Sequence, residues 1–256
     1  MIAEERWAHI VNLVNDRGVM TVVQLMEELG ASESTIRRDL LRLDEMGRLR
    51  KVHGGATRLA TYGYVMADQS MSGRKGLHME EKRAIAAYAA KLVQPGDFVF
   101  IDGGTTTECL VDAITERDAT YMTNSLPHAQ KLLAKGCRTL LPGGEVKPLT
   151  EVLIGSETVD SIRRYHFTIG FWGTNGAALD SGFTTPELNE AAVKRIGIEN
   201  TLQPYVLCDS SKFSSIALVT FAEFNRAIVV TDRISDTKMR DTNNVIEVSA
   251  EQSPEQ

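Results

Sequence analysis

The stretch from Ser32 to Gly55, SESTIRRDLLRLDEMGRLRKVHGG, narrows the possible folds of this chain more than any other. Ser32 is suited to cap a helix, because its hydroxyl can accept from a free amide of the first turn. No Gly or Pro then interrupts the run until Gly47, which predicts a helix over about Glu33 to Met46. Ile36, Leu40 and Leu43 share one side of that helix, while Ser34, Thr35, Arg38 and Arg42 project elsewhere. Arg presents a planar fork that matches guanine and phosphate alike, and Ser and Thr hydroxyls add short, adaptable contacts. A solvated amphipathic helix would look similar, so the flanking sequence decides.

Upstream, Thr21 and Gln24 have the spacing of a reciprocal capping box, and Gly30 supplies the stop of a short helix. Before it, Trp7, Ile10, Val11 and Val14 recur at helical spacing between Glu4 and Asn15. Three short helices around one small core make a helix-turn-helix with the Ser32–Met46 segment in the recognition position. Downstream, Arg48 to His53 alternates basic with apolar residues and turns on Gly54 and Gly55, the pattern of a basic wing hairpin. Between Ser34 and Arg58 seven basic residues stand against three acidic ones.

These residues resemble the N-terminal domain of the DeoR family of bacterial transcriptional regulators, whose signature runs S-x-x-T-I-R-R-D-L, then L-x-x-x-G-x-L-x-R-x-H-G-G. Ser32, Thr35, Ile36, Arg37, Arg38, Asp39, Leu40, Leu43, Gly47, Leu49, His53, Gly54 and Gly55 fall in step with it. Lys51 stands where the family often has Arg, which keeps the charge. Together, motif and resemblance nominate Thr21, Ser32, Ser34, Thr35, Arg37, Arg38, Arg42, Arg50, Lys51, His53 and Gly54 as DNA-contacting residues.

A chain of 256 residues with 43% hydrophobic content allows two cores. The formal charge is −6, yet residues up to Arg58 balance, so the acid excess lies wholly beyond the basic reader. No long apolar segment or signal-like start is present, and the sequence reads as cytoplasmic and soluble. Cys109, Cys137 and Cys208 are odd in number, far apart and in apolar surroundings, which favours buried thiols over a metal or redox site. No cofactor or catalytic residue is expected.

The expected domains are a winged helix-turn-helix over residues 1–57, a linker over 58–79, and an α/β domain over 80–256. Tyr62, Tyr64 and Met66 in the linker offer docking side chains. From Glu80 onward, strand, polar tip and helix alternate, which predicts a mostly parallel sheet covered on both faces. The apolar run Phe98–Ile101 delivers Asp102-Gly103-Gly104-Thr105-Thr106-Thr107 directly into a helix, a natural anion site. Further tips follow at Thr123-Asn124-Ser125, Gly143-Gly144, Thr174-Asn175 and Asp209-Ser210-Ser211-Lys212. In such sheets ligands sit beyond the carboxyl ends of the strands.

Here too the sequence resembles the DeoR family, whose sensor domain has the motifs D-x-G-T-T, T-N-S, P-G-G, G-A-D-G and D-S-S-K-F. The resemblance implies a fold related to ribose-5-phosphate isomerase and coenzyme A transferases, and a phosphorylated sugar or related metabolite as effector. The effector-site candidates are Asp102, Gly103, Gly104, Thr105, Thr106, Thr107, Asn124, Gly144, Asn175, Asp209 and Lys212. Asn175 stands where the family usually has Asp, and an amide cannot serve as a general base, which weighs against an isomerase.

Glu190 and Lys194 have the order of an exposed i,i+4 ion pair, and Lys82 and Arg83 read as a solvated helix face. His128 and His166 read as ordinary packing or surface residues, and the tail from Ser249 as frayed. The expected function is a DNA-binding regulator, a repressor of a sugar operon. Its expected partners are operator DNA, a phosphorylated-sugar effector and further copies of itself, with no membrane. The alternatives are an isomerase-like enzyme of the same sheet fold and an architectural DNA-binding protein with a ligand-free oligomerisation domain.

Overall fold

The computed structural model describes residues 3–46, 48–52, 54–57, 63–65, 76–234, 237–240 and 242–248. It divides into two compact units, Met1–Thr61 and Tyr62–Gln256.

In the first unit, α1 (Ala3–Arg17), β1 (Val19–Thr21), α2 (Val22–Leu29), α3 (Glu33–Glu45), β2 (Arg50–Val52) and β3 (Gly55–Thr57) follow in order. Ile10 and Val14 of α1, Leu25 of α2, and Ile36, Leu40 and Leu43 of α3 meet in one core, completed by Met20, Leu49 and Ala56. Each such leucine contributes about 1.5–3 kcal/mol on full burial. The Thr21 hydroxyl accepts from Gln24 N at 3.2 Å while Gln24 returns Oε1 to Thr21 N at 2.9 Å, closing the capping box. Gly30 ends α2 in the left-handed conformation with φ 61°.

The wing is larger than the two-stranded hairpin expected. The strands form an antiparallel sheet in the order β1-β3-β2, with Met20 and Lys51 both paired to Ala56. Its turn uses both glycines for different reasons. Gly54 has φ 80°, which side chains other than glycine adopt only with strain. A Cβ on Gly55 would overlap the Met20 carbonyl oxygen and lie 2.9 Å from Thr21 Cα, so only hydrogen fits there.

In the second unit, β4 (Gly63–Val65) and α4 (Met79–Ala90) precede β5 (Phe98–Ile101), α5 (Thr105–Ala113), β6 (Thr120–Thr123), α6 (Leu126–Ala134) and β7 (Arg138–Leu140). Next come β8 (Glu145–Lys147), β9 (Val152–Ile154), α7 (Ser156–Arg163), β10 (Phe167–Gly173), β11 (Gly176–Ala178), β12 (Gly182–Thr185) and α8 (Leu188–Glu199). Then β13 (Thr201–Leu207), a 3-10 turn over Ser210–Ser214, β14 (Ser215–Ala217), β15 (Val219–Ala222), β16 (Ile228–Thr231), α9 (Thr237–Arg240) and β17 (Val245–Glu247) complete it. Much of the expected linker falls outside the described residues, including Tyr62 and Met66, although β4 pairs with β14. The tail from Ser249 also lies outside them.

Seven strands form a wholly parallel sheet in the order β17-β16-β13-β10-β5-β6-β7. Alternation along β5 sends Val99 and Ile101 into one core and Phe100 into the other. The first core gathers Ile85 of α4, Leu110 of α5 and Leu132 of α6, and the second Ile162 of α7 with Val193 and Ile196 of α8. Both faces of the sheet are therefore covered, as continuous apolar strands require. The chain leaves β5 toward β6 and β7, then returns on the other side of β5 through β10 and β13. That reversal opens a crevice at the carboxyl ends of β5 and β10. Among the described residues, no helix is long and apolar enough to cross a membrane.

Candidate functional site

At the reversal point the two strand ends are tied together. Asp102 N donates to Phe171 O at 2.9 Å, and Gly173 N donates to Asp102 Oδ2 at 3.2 Å. Lys194, reaching in from α8, pairs with the same Asp102 oxygen and donates to Gly173 O at 3.1 Å, its Nζ 5.5 Å from the Phe221 ring centre. Burial pushes the Asp102 carboxyl above its ordinary pKa, opposed by the adjacent Lys194 charge. The exposed Glu190–Lys194 pair expected from spacing does not form. Lys194 is 5% exposed, and Glu190 accepts instead from Lys147 Nζ at 2.8 Å and Thr150 Oγ1 at 3.1 Å. The partners come from β5 and from the β8–β9 hairpin, which spacing along one helix does not register.

Above this pair lies a cavity of about 240 Å³. Helix α5 points its start into it: Gly104 is the N-cap residue, and no side chain caps the helix. Its first amides are thus left to a ligand or to solvent. Gly103 N donates to Asn124 Oδ1 at 3.1 Å, and a Cβ on Gly103 would overlap Val152 Cγ1. Asn175 accepts on Oδ1 from Thr185 Oγ1 at 3.3 Å, and the Asp209 carboxylate caps the 3-10 turn that carries Lys212.

Of the effector candidates, Asp102, Gly103, Gly104, Thr105, Thr106, Asn124, Asn175, Asp209 and Lys212 line this one cavity. Thr107 does not; it is fully buried, and its hydroxyl donates to Gly104 O at 3.0 Å. Gly144 does not either. It follows the edge strand β7 and packs on Thr158 of α7.

Sequence reasoning missed Lys82, Thr150, Glu190 and Lys194, which also line the cavity. Lys82 is 4% exposed, not solvated. The signal was present: Lys82, Ile85, Ala86 and Ala89 form one helical stripe, so a lysine occupied a core-facing position. His128 is buried as well, its ring near the Gly104 carbonyl but with no hydrogen bond of normal geometry on either nitrogen.

The first unit presents a separate polar face. Ser32 caps α3, with Thr35 N donating to Ser32 Oγ at 3.4 Å, and its hydroxyl lies 3.1 Å from that of Ser34. Arg37 pairs with Glu33 at 2.8 Å and Arg42 with Glu45 at 3.1 Å, both exposed and weakly held. Arg38, Arg50 and Lys51 are exposed and make no side-chain ion pair among the described residues, while Lys51 N donates to Asp44 Oδ1 at 3.1 Å. Thr21 and Gly54 are exposed at the α2 start and the wing turn. His53 lies outside the described residues.

Asp39, unlike its neighbours, is 4% exposed. It accepts from Arg6 Nε at 2.6 Å and Trp7 Nε1 at 2.7 Å.

The model of a DeoR-like helix-turn-helix domain matches residues 6–61, and that of a DeoR C terminal sensor domain matches residues 77–233. An uncharacterized HTH-type transcriptional regulator FruR of Bacillus subtilis is 36% identical over 90% of this chain and 91% of its own length. A lactose phosphotransferase system repressor of Staphylococcus epidermidis is 34% identical over 95% of this chain and 98% of its own. Among solved structures, ribose 5-phosphate isomerase A from Neisseria gonorrhoeae aligns with a TM-score of 0.39 at 15% identity, over 52% of this chain and 53% of its own.

Proposed function

The chain belongs to the DeoR family of helix-turn-helix transcriptional regulators, and on that premise we propose that it represses a sugar-metabolism operon under the control of a phosphorylated sugar. Its role is regulatory rather than enzymatic. The observation that carries the effector reading is the cavity at the reversal point. An uncapped helix start, buried Lys82, and the polar groups Asn124, Asn175 and Asp209 share about 240 Å³ there. An anion donor array beside hydroxyl-binding side chains matches a phosphate joined to a polyol.

On the other unit, α3 and the wing offer Ser34, Thr35, Arg38, Arg50 and Lys51 to bases and phosphates of the operator. One such reader makes few base contacts, so the working form is a homo-oligomer reading paired half-sites. A cytoplasmic location follows from that role.

Thermal unfolding of the purified protein with a panel of hexose phosphates, each beside its unphosphorylated parent, tests the effector class. A ligand that binds only the native state raises stability by mass action. A shift by a phosphorylated compound and not by its parent supports the reading. No shift across the panel refutes it.

A further inference from the structure

Helix α3 carries one apolar side chain that the core does not use. Ile36, Leu40 and Leu43 are buried in the core of the first unit, whereas Leu41 is 50% exposed. A lone leucine on a surface is common, so its place on the helix decides what it means. Ser34, Arg38 and Leu41 follow at spacings of four and three, which sets them in one exposed row on the side away from the core. The two sides of α3 are held by the rest of the unit: Asp39 by Arg6 and Trp7 of α1, and Asp44 by the Lys51 amide of β2 at 3.1 Å. The row itself is left facing outward, with Leu41 one turn beyond Arg38.

Duplex DNA offers a leucine in this row one kind of partner. Phosphate oxygens and most base-edge groups of the major groove form hydrogen bonds, and a leucine set against them removes their water and returns nothing. The C5-methyl of thymine is the apolar group on those edges. Leu41 stands about 4.5 Å along the helix axis from Arg38, against about 3.4 Å for one base step. A thymine within two base pairs of the base that Arg38 meets is therefore in reach. Neighbouring charges do not compete for the place, because Arg42 is turned to Glu45 at 3.1 Å and Arg37 to Glu33 at 2.8 Å.

We propose, on the reading of α3 as the operator helix, that Leu41 is a specificity-determining residue that packs on the C5-methyl of a thymine one or two base pairs from the base pair met by Arg38. Arg38 supplies charge and hydrogen bonds. Leu41 supplies an apolar contact that the edges of the other bases do not return.

Duplexes that differ by single methyl groups test this on the full chain. The tightest duplex that wild type selects from a random pool serves as the operator, and each of its thymines is replaced in turn by deoxyuridine, which removes the methyl and keeps every hydrogen-bonding group. Fluorescence anisotropy should show one thymine in each half-site whose replacement weakens wild type by about fourfold, the worth of one methyl taken out of water. Leu41→Ala should weaken the thymine duplex by about the same factor or more, and should bind the thymine and deoxyuridine forms alike at that position. Alanine is the stronger helix former and the position lies outside the core, so this variant keeps its fold. Leu41→Met should retain the methyl dependence.

A Leu41→Ala protein that binds the thymine duplex as tightly as wild type overturns the proposal, as does a methyl dependence that Leu41→Ala keeps at every thymine. Wild type indifferent to deoxyuridine at every position also overturns it, while α3 remains the reader. Wild type that enriches no sequence from the pool overturns the reading of α3 itself, and the role of Leu41 with it.

Discussion

Trp7 donates its indole N–H to Asp39 Oδ1 at 2.7 Å, fastening the first helix of the reader to the middle of its recognition helix. Arg6 holds the other carboxylate oxygen at 2.6 Å, so an acid in the midst of a basic motif is a structural clasp. Its neighbour Arg38 points outward without an ion pair among the described residues. Adjacent positions of one motif therefore do different work.

Asp39→Ala should destabilise the first unit by about 2 kcal/mol, because it strands a partly buried indole donor and removes a charge-assisted pair. Urea unfolding followed by the emission change of Trp7, resolved from that of Trp172 in the second unit, measures this. A midpoint equal to wild type would mean the clasp carries no stability.

Arg38→Ala should leave that unfolding curve unchanged and weaken operator binding by about 1–3 kcal/mol per half-site, the range for one bidentate base contact. Lys51→Ala should weaken all DNA sequences alike and make the salt dependence shallower by about one charge. Fluorescence anisotropy on operator and scrambled duplexes over a salt series separates the two. A sequence-selective loss in Lys51→Ala would contradict its phosphate role.

Asp102→Ala should destabilise the second unit by about 3–5 kcal/mol, since it leaves Lys194 buried without its carboxylate. The double variant Asp102→Leu with Lys194→Met should recover part of that loss, because no lone charge remains. Calorimetric melting checks both. A single variant no less stable than wild type would show that water reaches Lys194 freely.

His128 makes a pH signature. Burial lowers its pKa from 6.5 to about 4, so the native state holds it neutral while the unfolded chain protonates it. Between those values the unfolded state binds more protons, and stability falls as the pH is lowered from about 6.5 toward 4. The limiting loss is about 3 kcal/mol, and His128→Gln should lack this component. Urea midpoints for both proteins across that window supply the test; parallel curves would count against it.

Much of this architecture was legible. The Thr21–Gln24 box, the Ser32 cap and the strand at Phe98–Ile101 each rest on local chemistry, and each stands where the residues placed it. The sheet was legible as parallel because its strands are continuous apolar runs separated by helices. The hairpin Glu145–Lys147 with Val152–Ile154, and β1 in the wing, escaped because three residues are too few to show a period of two.

The charged side chains were the harder part, and three of them share one cause. Asp39, Lys82 and Lys194 each stand within an apolar helical stripe, beside Ile36 and Leu40, Ile85 and Ala86, and Ala191 and Ile198. Asp39 is held there by Arg6 and Trp7 of α1, and Lys194 by Asp102, 92 residues away. Local spacing sees the stripe but not the partner. Gly144 departs in the opposite sense: its motif looked like a site, but it follows the edge strand β7 and does not line the cavity.

Operator affinity measured with and without the sugar phosphate that stabilises the protein decides whether the sensor cavity governs DNA binding. A change of at least about tenfold, or 1.4 kcal/mol of coupling, is expected with that compound and none with its unphosphorylated parent. Equal operator affinity in the presence and absence of a bound sugar phosphate would contradict it, for a ligand without differential affinity for the two states shifts nothing.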